Sequence, residues 1–150
     1  MTRRLRKLPP FEQSLGATLL AAREAVLAPL RPVLRDAGIT EQQWRVMRVL
    51  NDRGASDPTG LAEVGLLHAP SVTRIVKDLE ERRLILREDD PDDRRRTLIA
   101  LSPEGKTLLR EISPHMVRIL QEYSDRFGSK RLESLENELR ALSASIKGVS

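Results

Sequence analysis

SVTRIVKDLEERRLILREDDPDDRRRTLIALSPEG, residues 71–105, decides the fold. In its first half Val72, Ile75, Val76 and Leu79 fall three or four residues apart, the repeat of one apolar helix face. Pro70, just upstream, suits a first helical turn, where no amide hydrogen is needed. The second half changes period. LILR, residues 84–87, and TLIAL, residues 97–101, are short, apolar and β-branched, and they flank the turn-forming run EDDPDDRR. A helix followed by a β-hairpin is therefore expected. Ser102-Pro103 then carries the signal for another helix start.

Working outward, TEQQWRVMRVLNDRG, residues 40–54, reads as a helix. Thr40 and Gln43 form a capping box, Gly54 closes it, and Trp44, Val46, Met47 and Leu50 supply the buried side. Asp57 and Pro58 open a short helix before the one that starts near Pro70. Upstream, residues 11–37 read as a long helix with Leu15, Leu19, Ala22, Val26, Leu30, Val33 and Ala37 on one face. Pro29 and Pro32 predict a bend or break in its second half, and Gly38 its end. Downstream of Pro103 a helix runs towards Phe127, with Pro114 expected to kink or divide it. The final segment alternates spacings of three and four through Leu132, Leu135, Leu139, Leu142, Ile146 and Val149, an a/d seam that a single helix can pack on its own core but that suits packing on another helix across a subunit boundary better.

The predicted fold is mainly α with a small β-hairpin wing, a winged helix-turn-helix with long flanking dimerisation helices. Its parts are a basic tail at 1–10, dimerisation helices at 11–39 and 102–150, and a DNA-binding lobe at 40–101.

Composition narrows the function. The net charge is +4, which favours a polyanionic partner. No cysteine is present, so disulfide, thiol-nucleophile and thiolate-metal chemistry are excluded. The two histidines, His68 and His115, are too far apart in sequence to suggest a zinc cluster. No glycine-rich phosphate loop and no nucleophile with a base are visible, so neither an enzyme nor a cofactor is expected. No apolar run approaches membrane-spanning length, and MTRRLRK lacks the apolar core of a signal peptide, so a soluble cytoplasmic protein is expected.

A helix-turn-helix presents the start of its last helix to the major groove. Ser71, Thr73, Arg74 and Lys77 are the polar positions there. Arginines at a hairpin tip reach the minor groove or the phosphates, which singles out Arg94, Arg95 and Arg96. The acids beside them are explained if one holds an arginine in place. Asp93 and Arg95 are the expected pair, since residues two apart on an extended chain share a face.

The stretch at 71–105 resembles the recognition helix and wing of MarR-family transcription regulators. Asp93 and Arg95 match the family's Asp-x-Arg motif, and Leu101, Ser102 and Gly105 its Leu-Ser/Thr-x-x-Gly turn. The resemblance spans nearly the whole chain. LLAAREAVLAPLRPVLRDAGITEQQWRVMRVL, residues 19–50, is similar to family members that control aromatic-acid degradation operons. The resemblance implies a homodimeric repressor on a pseudo-palindromic operator in double-stranded DNA, released by a small phenolic or aromatic acid. An aromatic acid requires a cation and a flat apolar wall. Arg23, Trp44, Arg45, Arg48 and His115 are the candidates, and Leu132, Leu135, Leu139, Leu142 and Ile146 are the expected dimer contacts. The alternatives are a winged-helix regulator without an effector and a helical scaffold that binds proteins.

Overall fold

The computed structural model describes residues 7–149; most of the expected basic tail, residues 1–6, lies outside them. After a short 3-10 turn at Phe11–Gln13 come α1 (Leu15–Leu27), α2 (Arg31–Asp36), α3 (Glu41–Arg53), α4 (Pro58–Val64) and α5 (Ala69–Glu81). The strands β1 (Ile85–Asp89) and β2 (Thr97–Leu101) follow, then α6 (Pro103–Phe127) and α7 (Ser129–Ile146). This is the mainly helical, winged architecture expected. The chain forms two compact units, the first ending at Ile112 and the second beginning at Ser113.

In the first unit the expected long helix is three pieces. Ser14 caps α1 by accepting a hydrogen bond from the Ala17 amide at 3.1 Å, which sets the true helix start. After Leu27 the ladder tightens, with Leu30 N–H donating to Leu27 O at 3.0 Å. Pro29 lies in this turn and Pro32 in the first turn of α2, so the prolines separate two helices rather than bend one. Gly38, at φ 71°, ends α2 in the left-handed region and lets Ile39 N–H reach back to Leu34 O.

The capping box of α3 is fully formed. Thr40 Oγ1 accepts from Gln43 N–H at 3.1 Å, and Gln43 Oε1 accepts from Thr40 N–H at 3.0 Å. Its buried side is Gln43, Val46, Met47, Val49 and Leu50. Trp44 is only half-buried, a departure from the expected core position. Helix α5 buries Val72, Ile75, Val76 and Leu79, as its periodicity predicts. With them in the core of the lobe are Leu61 of α4, Ile85 of β1 and Ile99 of β2; α5 packs on α4 and β1, and α3 on α4, α5 and β2. Burial of side chains this size stabilises a fold by about 1.5–3 kcal/mol each.

The hairpin is antiparallel, with Ile85 opposite Leu101 and Asp89 opposite Thr97. Ser56, just before α4, adds a bridge to Ile99 through hydrogen bonds of 2.9 and 2.8 Å. The wing is thereby stitched to the start of α4 at its root. At the far side of β2, Ser102 Oγ donates to Arg83 O and accepts from Gly105 N–H. A Cβ on Gly105 would stand 2.1 Å from Leu84 O, so only glycine fits.

Helix α6 is not divided at Pro114, one of the two outcomes expected there. In the second unit Gly128, at φ 96°, turns the chain from α6 to α7, and the Arg131 guanidinium lies 4.3 Å from the Phe127 ring centroid. Helix α7 buries none of its residues. Leu135, Leu139 and Ile146 are exposed, Leu132 and Leu142 half-buried, and Val149 lies beyond the helix end. Helix α1 likewise buries none. No described helix is long and apolar enough to cross a membrane.

Candidate nucleic-acid interface

Helix α5 begins at Ala69 with Pro70 in its first turn and His68 as an N-cap that makes no side-chain capping bond. With Val72, Ile75, Val76 and Leu79 turned inward, the opposite face carries Thr73, Arg74 and Lys77, all exposed; Ser71 is half-buried. Lys77 lies 4.0 Å from Glu81 one turn on, a weak surface contact. Arg74 has no ion pair or side-chain hydrogen bond among the described residues. The turn that leads into α5 is held from α3. The Arg45 guanidinium donates to Gly65 O at 3.2 Å and Leu66 O at 3.0 Å. Leu66 takes φ 53°, a left-handed conformation that costs a non-glycine residue energy and is restrained here by those bonds.

The wing tip resolves the acid–arginine conflict differently from the sequence reading. Residues 91–96 form turns, not extended strand, so the two-residue spacing of Asp93 and Arg95 does not align their side chains. Asp93 instead accepts the backbone N–H of Arg95 at 3.0 Å, and Asp90 accepts that of Asp92 at 2.9 Å. The ion pair falls one residue later. Arg96 meets the Asp57 carboxylate at the start of α4 and comes within 4.0 Å of Asp90. Asp57 lies 39 residues away in sequence, so no local pattern announces it. Arg94 and Arg95 are exposed, and neither has a side-chain ion pair among the described residues.

The five candidate effector residues are placed unequally. Arg23 of α1 lies 3.6 Å from Glu41 at the start of α3. Arg31 of α2 shares the same carboxylate at 2.7 Å and also binds Glu24, so two arginines and two glutamates form one cluster. Hydrogen bonding to Glu24 and Glu41 raises the Arg31 pKa, and Arg31 lowers that of Glu24. On α3, Arg48 stands 5.7 Å from the Trp44 ring centroid and pairs with Asp52 at 3.6 Å. Arg45 donates to the carbonyls of the α4–α5 turn. His115 is exposed and belongs to the second unit. A shallow recess of about 260 Å³ is lined by Arg31, Leu34, Arg35, Ile39, Thr40 and Glu41, and by none of the five candidates.

A family pattern described as MarR family matches residues 37–96, the span from the end of α2 to the wing tip. The HTH-type transcriptional regulator FarR of Neisseria gonorrhoeae is 33% identical over 129 residues, covering 86% of this chain and 88% of that protein. The chain belongs to the MarR family. It is a MarR-type transcriptional regulator rather than an enzyme, as its relatives are. The homoprotocatechuate degradative operon repressor of Escherichia coli is 30% identical, over 86% of this chain and 87% of that protein. The crystal structure of NadR in complex with 4-hydroxyphenylacetate superposes with a TM-score of 0.78 at 31% identity, over 95% of this chain and 97% of that one.

Proposed function

We propose that this MarR-family protein is a homodimeric repressor of an aromatic-catabolism operon, released from its operator by a small phenolic or aromatic acid. The observation that carries the DNA-facing part is the cationic pattern at the lobe surface. Arg74 on α5 and Arg94 and Arg95 at the wing tip are exposed and unpaired, while the neighbouring Arg96 is held by acids. Unpaired guanidiniums are free to grip guanine edges or phosphates. Ser71, Thr73 and Lys77 complete the helix face, and Asp93 serves by shaping the turn beneath Arg95. Two such lobes related by a two-fold axis would read half-sites about 34–36 Å apart. The exposed apolar residues of α1 and α7, Leu15, Leu19, Leu135 and Leu139 among them, suit the contact between two copies.

The effector reading draws on relatives that act on related chemistry. One represses a homoprotocatechuate operon, and another was crystallised with 4-hydroxyphenylacetate. Arg48 stacked on Trp44 offers this chain a cation beside a flat ring. Arg23, bound to Glu41 at 3.6 Å, offers a second cation that an incoming carboxylate would take from that acid. Such a ligand releases DNA only as far as it prefers the non-binding shape.

The test uses a duplex selected from a random-sequence pool by the native protein. Arg74→Ala is expected to weaken binding and relax sequence preference, by roughly 1–3 kcal/mol if it reads a base. Arg95→Ala is expected to weaken it with a shallower salt dependence, by about one unit of slope. Unchanged affinity in both variants refutes the assigned surface. Trp44 is the sole tryptophan, so its fluorescence reports directly on addition of 4-hydroxyphenylacetate. No fluorescence change and no rise in melting temperature at millimolar acid would remove the effector part.

A further inference from the structure

We infer that Asp57 is a positioning residue for DNA reading, and that Arg96 anchors the wing instead of touching DNA. The inference rests on the DNA-facing reading above. It starts from how the Asp57 carboxylate is divided. Its Oδ1 accepts the Gly60 amide at 2.7 Å and so caps α4. Its Oδ2 receives the Arg96 guanidinium from the wing. One side chain thus fixes the start of α4 and the tip of the hairpin at once.

The surroundings show what that fixes. Asp90 is the second acid on Arg96, at 4.0 Å, and its side chain is the least exposed of the three, at 13%. The Arg96 main chain closes the loop as well. Its N–H donates to Asp93 O at 2.9 Å, and its carbonyl accepts from Asp90 N–H at 3.1 Å. The two arginines immediately before it, Arg94 and Arg95, ride on this closed loop with free side chains. At its root the hairpin is already tied to the same place, through Ser56 and Ile99. The Asp57–Arg96 pair is a second tie, nearer the tip, and together they leave the wing little freedom to swing about its root. A loose wing presents its arginines over many orientations, and ordering them on DNA then costs entropy that a fixed wing has already lost. A residue that never meets DNA can in this way set the affinity of those that do.

Asparagine caps a helix about as well as aspartate, so Asp57→Asn keeps the cap and removes only the charge that holds Arg96. Asp57→Asn, Arg96→Gln and the double variant are compared on the pool-selected duplex. Each single substitution is expected to weaken binding by about tenfold, the order of one lost DNA contact, while the melting temperature stays at the native value. The double variant is expected to lose no more than either single one, because both break the same tie. In the free protein, both singles are expected to speed hydrogen exchange at the Asp90 and Arg96 amides. Native affinity for Asp57→Asn beside a weakened Arg96→Gln would overturn the inference, since Arg96 would then act on DNA itself. So would losses that multiply in the double variant. Should Asp57→Asn prove unstable, Arg96→Gln, which leaves the cap intact, carries the exchange measurement alone. Arg74→Ala separates the two readings. If it binds like the native protein, the DNA surface is wrong, whereas unchanged exchange at Asp90 and Arg96 condemns only the anchor.

Discussion

Helices α5 and α7 have the same kind of sequence and opposite fates. Both space their apolar residues three and four apart. In α5 those residues, Val72, Ile75, Val76 and Leu79, are buried inside the lobe. In α7 none is buried, and Leu135, Leu139 and Ile146 stand in the open. Helix α1 sides with α7, exposing Leu15, Leu19, Leu20 and Val26. Periodicity therefore reports that a helix has an apolar face and says nothing about which chain covers it. An open leucine seam of this length is costly to leave in water, which is why the proposed function gives it to a second copy.

The sharpest way to break the contrast is a matched pair of substitutions. Leu79 is fully buried, and Leu79→Ala is expected to destabilise the fold by about 2–5 kcal/mol at any protein concentration. Leu139 is 37% exposed, and Leu139→Ala should cost under about 0.5 kcal/mol when the protein is dilute. At high concentration its deficit should grow, as expected for a residue that packs only in the assembled form. Urea unfolding at two concentrations a hundredfold apart reads both. Equal and concentration-independent deficits would show that α7 folds onto its own chain. Gly105→Ala follows in size. The new methyl would meet the Leu84 carbonyl at 2.1 Å, so a loss of roughly 1–3 kcal/mol is expected from shifting packed backbone. A near-native urea midpoint for this variant would mean that the junction after the wing yields easily and is no part of the rigid lobe.

What the sequence made legible follows the range of each interaction. The Thr40–Gln43 box, the Ser102-Pro103 helix start and the inner face of α5 are set by residues within one or two turns, and local chemistry announces them. The acids at the wing were readable as turn formers but not as partners. Asp93 and Arg95 are neighbours whose turn makes a backbone bond and not an ion pair, while Asp57 and Arg96, far apart in sequence, meet beside the bridge between Ser56 and Ile99. Trp44 is half-buried where its spacing predicts a core position, because the buried face of α3 is turned towards Gln43, Val46, Met47, Val49 and Leu50. Pro114 leaves α6 unbroken, although a proline in mid-helix removes one backbone hydrogen bond.

The smallest expected effect tests the charge cluster that ties α1 to the lobe among the described residues. Glu24 on α1 binds Arg31, which also holds Glu41 on α3, while Arg23 reaches Glu41 from α1. The hydrogen bond from Arg31 holds the Glu24 carboxyl below its ordinary pKa, with the positive charges of Arg31 and Arg23 adding to the effect and desolvation opposing it. A carboxylate whose folded pKa is lowered stabilises the fold fully above its unfolded pKa, and that stabilisation fades as pH falls through the folded value. Glu24→Gln should therefore melt slightly below the native protein at pH 7, and the gap should close on titration below the ordinary glutamate range. Added salt should narrow the gap as well, because these side chains are well exposed and screened. A gap that persists unchanged at pH 3 would mean that Glu24 acts by packing and not by charge. Helix α1 would then be fixed to the lobe by contacts indifferent to protonation, and the division between an inward-packed lobe and outward-facing helices would have to be drawn before α1 instead of after it.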